Sequence, residues 1–154
     1  PTIVCDDFDV DEAASRIMYA KCVNAGQTCL APDYLFIPEA KRDQFVAAAK
    51  KVVAERYPDT NDRAFTSVID EKSYRRLRAT LDDAQQKGAT LVTLVPGATY
   101  NDQLRKLPPT SRHSKSGGRQ HHEVGGRTVA TLGGGGIGLA CQTINGDITI
   151  RERS

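Results

Sequence analysis

The 154-residue sequence contains no tryptophan, one methionine and an aromatic share of only 6%. A core built on stacked large rings is therefore excluded, and aliphatic side chains and alanine must fill it. Charge of one sign is also lacking. The net charge is +2, too small to mark a nucleic-acid surface. No apolar run reaches the roughly 20 residues of a membrane-crossing helix. The start, PTIVCDDFDV, is acidic and has no signal-peptide pattern. It also has no initiator methionine, so the chain is expected to begin inside a longer protein. The four cysteines, Cys5, Cys22, Cys29 and Cys141, match no disulfide framework, and no CxxC pair suggests zinc. A reducing, cytoplasmic setting is the expectation.

What is present is an alternation of strand and helix patterns up to about residue 110. TIVC (2–5) reads as a short strand. Asp9 or Asp11 can cap the helix that follows, with Ala14, Ile17, Met18 and Cys22 on one face. YLFIP (34–38) reads as a buried strand. Pro38 opens a helix over about residues 39–57, with Phe45, Ala49, Val52 and Val53 as its apolar stripe. A further helix starts at Asp70, presents Tyr74, Leu77, Leu81 and Ala84, and stops at Lys87-Gly88. ATLVTLV (89–95) is then a strand. This order predicts an α/β fold with largely parallel strands.

After residue 110 the composition changes. Residues 111–126, rich in Gly, Ser, Arg and His, read as a linker or loop. Residues 127–154 read as a β-rich, hairpin-like tail, with Asn145-Gly146 between two alternating runs. GGGGIG (133–138) satisfies GxGxxG, but a strand pattern rather than a helix follows, so it reads as a turn. His113, His121 and His122 have no metal-ligand spacing and read as a solvated polar loop.

The richest segment is KCVNAGQTCLAPDY (21–34). A cysteine nucleophile needs an ionised thiol, room for a substrate and N–H groups nearby. Gly26 permits a tight turn beside Cys29, and the Cys29 backbone N–H is a candidate oxyanion donor. The residues alone favour a buried structural cysteine, since free cysteine is among the most buried residue types.

The segment NAGQTCLAPDY resembles the active-site cysteine stretch of the aldehyde dehydrogenase superfamily, through Gly26, Gln27 and Cys29 with Leu30, Ala31 and Asp33 following. PTIVCDDFDVDEAASRI resembles the stretch that follows the family's Glu-Leu-Gly-Gly-Lys segment, and AGQTCLAPDYLFIPEAKRDQFV and SVIDEKSYRRLRATLDDAQQKGATLV resemble coniferyl and fatty aldehyde dehydrogenases, so the resemblance covers about residues 1–110. Cys22 departs from the usual Phe, which implies a small packing change.

The resemblance implies a partial catalytic domain in strand–helix–loop–strand–helix–helix–strand order. It implies Cys29 as the catalytic nucleophile, with Asn24, Gly26, Gln27 and Thr28 supporting its loop. It implies oxidation of a small-molecule aldehyde to a carboxylic acid through a thiohemiacetal and a thioester. The cofactor implied is NAD or NADP, bound by a domain expected to be absent here along with the general-base Glu, so the isolated chain is expected to be inactive. No metal, nucleic-acid or membrane partner is implied, and the family is usually a homodimer or homotetramer. The end of the tail, VATLGGGGIGLACQTINGDITIRERS, is similar to strand repeats of bacterial adhesin domains. A non-enzymatic composite with an adhesin-like β-module is therefore the alternative expectation.

Overall fold

A computed structural model describes residues 2–116, 138–139 and 147–153, with side chains described through residue 112. The chain opens with β1 (Thr2–Ile3) and α1 (Val10–Cys22), then β2 (Leu35–Phe36), α2 (Glu39–Arg56) and α3 (Glu71–Gln86). β3 (Thr90–Thr93), β4 (Thr110–Ser116), β5 (Gly138–Leu139) and β6 (Asp147–Arg153) follow. The strands lie in one sheet in the order β1-β2-β5-β6-β4-β3.

Each helix begins where the local chemistry directs. Asp9 caps α1 by accepting the Glu12 N–H at 2.7 Å, and Asp70 caps α3 by accepting the Ser73 N–H at 2.7 Å. Both satisfy a donor that the helix itself cannot. α3 ends in a loop where Gly88, at φ 84°, takes the left-handed conformation that glycine tolerates. The expected face of α1 is buried throughout, and so is that of α3. On α2, Phe45, Ala49 and Val53 are buried, whereas Val52 is half-buried and Ala48 takes its place in the core.

Two apolar clusters result. In the larger, α1 and α2 pack together with Val4, Leu35, Ile37, Leu94 and Val95. The smaller joins α3 to Val68 and Leu107. Tyr74 ties α3 to the 100–106 turn, its hydroxyl donating to Asp102 at 2.7 Å, while Arg78 donates to the same oxygen at 2.7 Å. Lys106 is buried and donates through Nζ to the carbonyls of Asp62 and Phe65.

The sheet is mixed rather than largely parallel. β1–β2 and β4–β6 are parallel, but β2–β5, β3–β4 and β5–β6 are antiparallel. The reason is the connection. A parallel neighbour needs a long crossover, usually helical, whereas residues 94–109 turn back without a helix and bring β4 antiparallel onto β3. Thr110–Ser116 is strand, paired with both β3 and β6. Asp147–Arg153, DITIRER, is strand β6. The Asn145-Gly146 turn, Gly133–Gly136 of the glycine run, His121, His122 and Cys141 lie outside the described residues.

Candidate functional site

α1 delivers the chain to the cysteine segment. Its last residue, Cys22, is 5% exposed and belongs to the larger core. Burial pushes its thiol up to about 12, with Lys21 and Arg56 opposing the shift only in part. Such a thiol stays protonated and inert at neutral pH. Cys22 is therefore a packing residue, and no disulfide joins it to Cys29, since both are free.

Beyond Cys22 the backbone turns sharply over Val23–Gly26. Asn24 and Ala25 both have φ 52°, and Gly26 has φ 75°. Asn and Gly tolerate this left-handed region; an alanine there costs ~1–2 kcal/mol. Strain of this kind persists only where surrounding contacts hold it. Ala25 and Gly26 are accordingly buried.

Gln27 supplies much of that hold. Its side-chain amide donates to the carbonyls of Asn24 and Ser67, both at 3.0 Å, and accepts the Ile69 N–H at 2.8 Å. Its own backbone N–H donates to the Asn24 carbonyl at 3.0 Å. Thr28 then starts a β-turn in which its carbonyl accepts the Ala31 N–H at 3.1 Å. Cys29 and Leu30 form the corner of that turn, and both are exposed, Leu30 at 89%.

The structure thus brings Asn24, Gly26, Gln27, Thr28 and Cys29 into one compact loop with the cysteine outermost. Thr28 is half-buried and Asn24 is exposed, its carbonyl rather than its side chain serving the loop. The participation of Ser67–Ile69 was not visible from composition. SVID carries no motif, and only a resolved hydrogen-bond pattern reveals it. No group of three metal-ligating side chains occurs among the described residues, and no described helix is long and apolar enough to cross a membrane.

A dinucleotide pyrophosphate is favoured at a helix start rich in free N–H groups and poor in negative charge, which no described α-helix offers. All three helices begin on acid: Asp9, Asp11 and Glu12 at α1, Glu39 at α2, Asp70 and Glu71 at α3. In α1 and α3 the capping carboxylate already occupies the donor an anion would use.

The sequence pattern of the aldehyde dehydrogenase family matches residues 1–110. This chain belongs to that family. Among curated proteins, it is 44% identical over 111 residues to the "Probable coniferyl aldehyde dehydrogenase" of Pseudomonas aeruginosa, covering 71% of this chain and 22% of that one. Among solved structures, substrate-bound Staphylococcus aureus AldH matches with a TM-score of 0.65 at 30% identity, over 73% of this chain and 24% of that one. The NADP-dependent glyceraldehyde-3-phosphate dehydrogenase of Bacillus halodurans, complexed with NADP, matches with a TM-score of 0.62 at 33% identity, over 73% and 23%. The chain therefore spans less than a quarter of each of these aldehyde dehydrogenase relatives. The family match ends at residue 110.

Proposed function

We propose that this chain carries the thiol-bearing part of the catalytic domain of an NAD(P)-dependent aldehyde dehydrogenase, with Cys29 as nucleophile. The observation that carries the reading is the placement of Cys29: exposed at a turn corner, directly after a strained loop held by Gln27. Fixing a nucleophile in this way reduces the entropy lost on reaching a substrate carbonyl.

The addition step needs only this chain's residues. The Cys29 sulfur, as thiolate, forms a bond to the aldehyde carbon. The carbonyl electron pair moves onto oxygen, where the Cys29 backbone N–H is the proposed donor, and a proton from water completes the thiohemiacetal. Oxidation to the thioester requires a hydride acceptor, which a nicotinamide dinucleotide supplies in the family. The described residues offer no cradle for it, so the chain alone is expected to bind aldehyde covalently and reversibly without turnover.

An aromatic aldehyde of the coniferyl type is the proposed substrate class, supported by the coniferyl aldehyde dehydrogenase among the relatives. The free thiols support a reducing, cytoplasmic setting. A homodimer or homotetramer is the proposed assembly of the whole family protein.

The test is alkylation of the cysteines followed by peptide mapping, with and without coniferyl aldehyde. Cys29 should react fastest, and the aldehyde should slow Cys29 alone, leaving the exposed Cys5 unaffected. Equal rates at Cys5 and Cys29, with no protection, would refute the assignment.

A further inference from the structure

The three residues clasped by Gln27 are held from their other edge as well. In an extended segment, successive peptide groups face opposite sides. The Ser67 carbonyl and Ile69 N–H face Gln27. The Val68 N–H and carbonyl are both taken by Arg105: the N–H donates to the Arg105 carbonyl at 2.9 Å, and the Arg105 Nε donates to the Val68 carbonyl at 3.0 Å. Residues 67–69 are thus hydrogen-bonded like a strand within a sheet, with a glutamine amide on one side and an arginine on the other.

Arg105 is itself specially placed. It has φ 50°, a conformation unusual for a residue with a side chain. It sits in a turn closed by Asn101, whose side chain accepts the Leu104 N–H at 2.9 Å and whose backbone pairs with Lys106. No ordinary turn requirement selects arginine at such a position; glycine or asparagine would serve the backbone better. The Nε–Val68 bond supplies a reason for arginine.

We propose that Arg105 is a positioning residue for the Cys29 loop, acting through the Ser67–Ile69 segment and the Gln27 amide. This rests on the reading of Cys29 as the nucleophile. Arg105 fixes the Val68 peptide, the fixed peptide orients the Ser67 carbonyl and Ile69 N–H, and these hold the Gln27 side chain two residues before the thiol. Gln27 and Arg105 differ from a catalytic group in that neither needs to touch substrate.

The experiment uses the full 154-residue chain. R105G removes the Nε bond while favouring the positive φ, so it leaves the turn intact. Q27A removes the other half of the clasp, and Q27E retains an acceptor for Ile69. Two quantities are read in each variant: amide hydrogen exchange at Ile69 by NMR, and the pH profile of Cys29 alkylation with Cys5 as the exposed reference.

In R105G and Q27A, exchange at Ile69 should rise about tenfold, the factor expected when one hydrogen bond to a well-held group is lost. The Cys29 profile should move in both, with Cys5 unchanged, and Q27E should restore protection at Ile69. Three results would overturn the proposal. The first is faster Ile69 exchange in Q27A but not in R105G, which removes Arg105 from the relay. The second is faster exchange in both with an unmoved Cys29 profile, which leaves a purely structural clasp. The third is a uniform rise in exchange across α1 and α2, which makes the contact one of general stability. If unmodified Cys29 behaves like Cys5 but the Ile69 effects occur, the nucleophile assignment fails while the mechanical link between Arg105 and Ile69 stands.

Discussion

Alkaline destabilisation should be traceable to one buried thiol. Cys22 is 5% exposed, and burial moves its ionisation from an ordinary 9.0 up to about 12. In the unfolded chain the thiol ionises near its ordinary value, whereas in the folded chain it stays protonated until about pH 12. The unfolded state therefore loses its proton first as pH rises. The stability contributed by Cys22 is complete below pH 9.0 and falls through the window up to about pH 12. From about pH 8.5 to about pH 10, linkage gives a loss on the order of 1 kcal/mol. Tyr57 and Tyr74, also raised by burial, lose stability in the same direction as the pH nears their ordinary 10.0. Lys106 works in the opposite direction, because burial depresses it from 10.5 and its unfolded form holds the proton longer. The comparison must therefore be made against C22A, in which every other group is retained. Urea unfolding followed by circular dichroism should show a midpoint shift between the two pH values larger in the parent than in C22A, by roughly 0.5–1 M. Identical shifts in the two proteins would show that the Cys22 thiol is not the titrating group, and the packing role assigned to it would fail with it.

Three further perturbations probe the frame around the candidate site. Y74F removes the hydroxyl that donates to Asp102 from a side chain 1% exposed, and should cost ~1–2 kcal/mol in equilibrium denaturation; no measurable loss would mean the Tyr74–Asp102 bond adds nothing beyond solvation. L81A opens a cavity in the smaller cluster and should cost ~3 kcal/mol by the same assay, with a cost below ~1 kcal/mol indicating that the cluster collapses around the gap. At Ala25 the sign depends on the new residue: A25V puts a β-branched side chain at φ 52° and should destabilise by more than ~1 kcal/mol, while A25G should be nearly neutral, because relief of strain offsets the lost methyl burial and added chain entropy. A25V as stable as the parent would remove the strained turn from the description of the site.

The helices were legible in the sequence because their signals are local. Asp70, the spacing of Tyr74, Leu77, Leu81 and Ala84, and the Lys87-Gly88 stop fix α3 without reference to the rest of the chain. Val52 shows the limit of that reasoning: it lies on the expected stripe of α2, yet α1 and α2 meet along a line that buries Ala48 instead. Strand direction was less legible, since it depends on where a chain goes between strands. Residues 94–109 contain Pro96, Gly97, Pro108 and Pro109, which exclude a crossover helix, and that exclusion was the available clue to antiparallel β3–β4. β4 was hidden by its composition: SRHSKS (111–116) has neither an apolar alternation nor β-branched residues, so its pairing, not its propensity, makes it a strand. At the site, Gly26-Gln27-Thr28-Cys29 was conspicuous, but Ser67–Ile69 and Arg105 lie about 40 and 78 residues away from Gln27 and carry no spacing rule that links them to it.

The loop derives its geometry from two cores rather than one. Cys22 and the end of α1 are embedded in the larger cluster, whereas Val68, the residue between the two peptide groups that Gln27 holds, belongs to the smaller one with Leu107. Residues 23–28 thus lead from the larger cluster to the Gln27 hydrogen bonds on either side of Val68, and Cys29 follows. The positive φ values at Asn24, Ala25 and Gly26 fall within this segment, where such strain persists only because surrounding contacts hold it. The same arrangement explains why Gln27 is suited to its position: a single amide can donate and accept at once, so one side chain reaches both polarities of the 67–69 backbone. Cys29 itself stays exposed in the next turn, which the Thr28 carbonyl and the Ala31 N–H close.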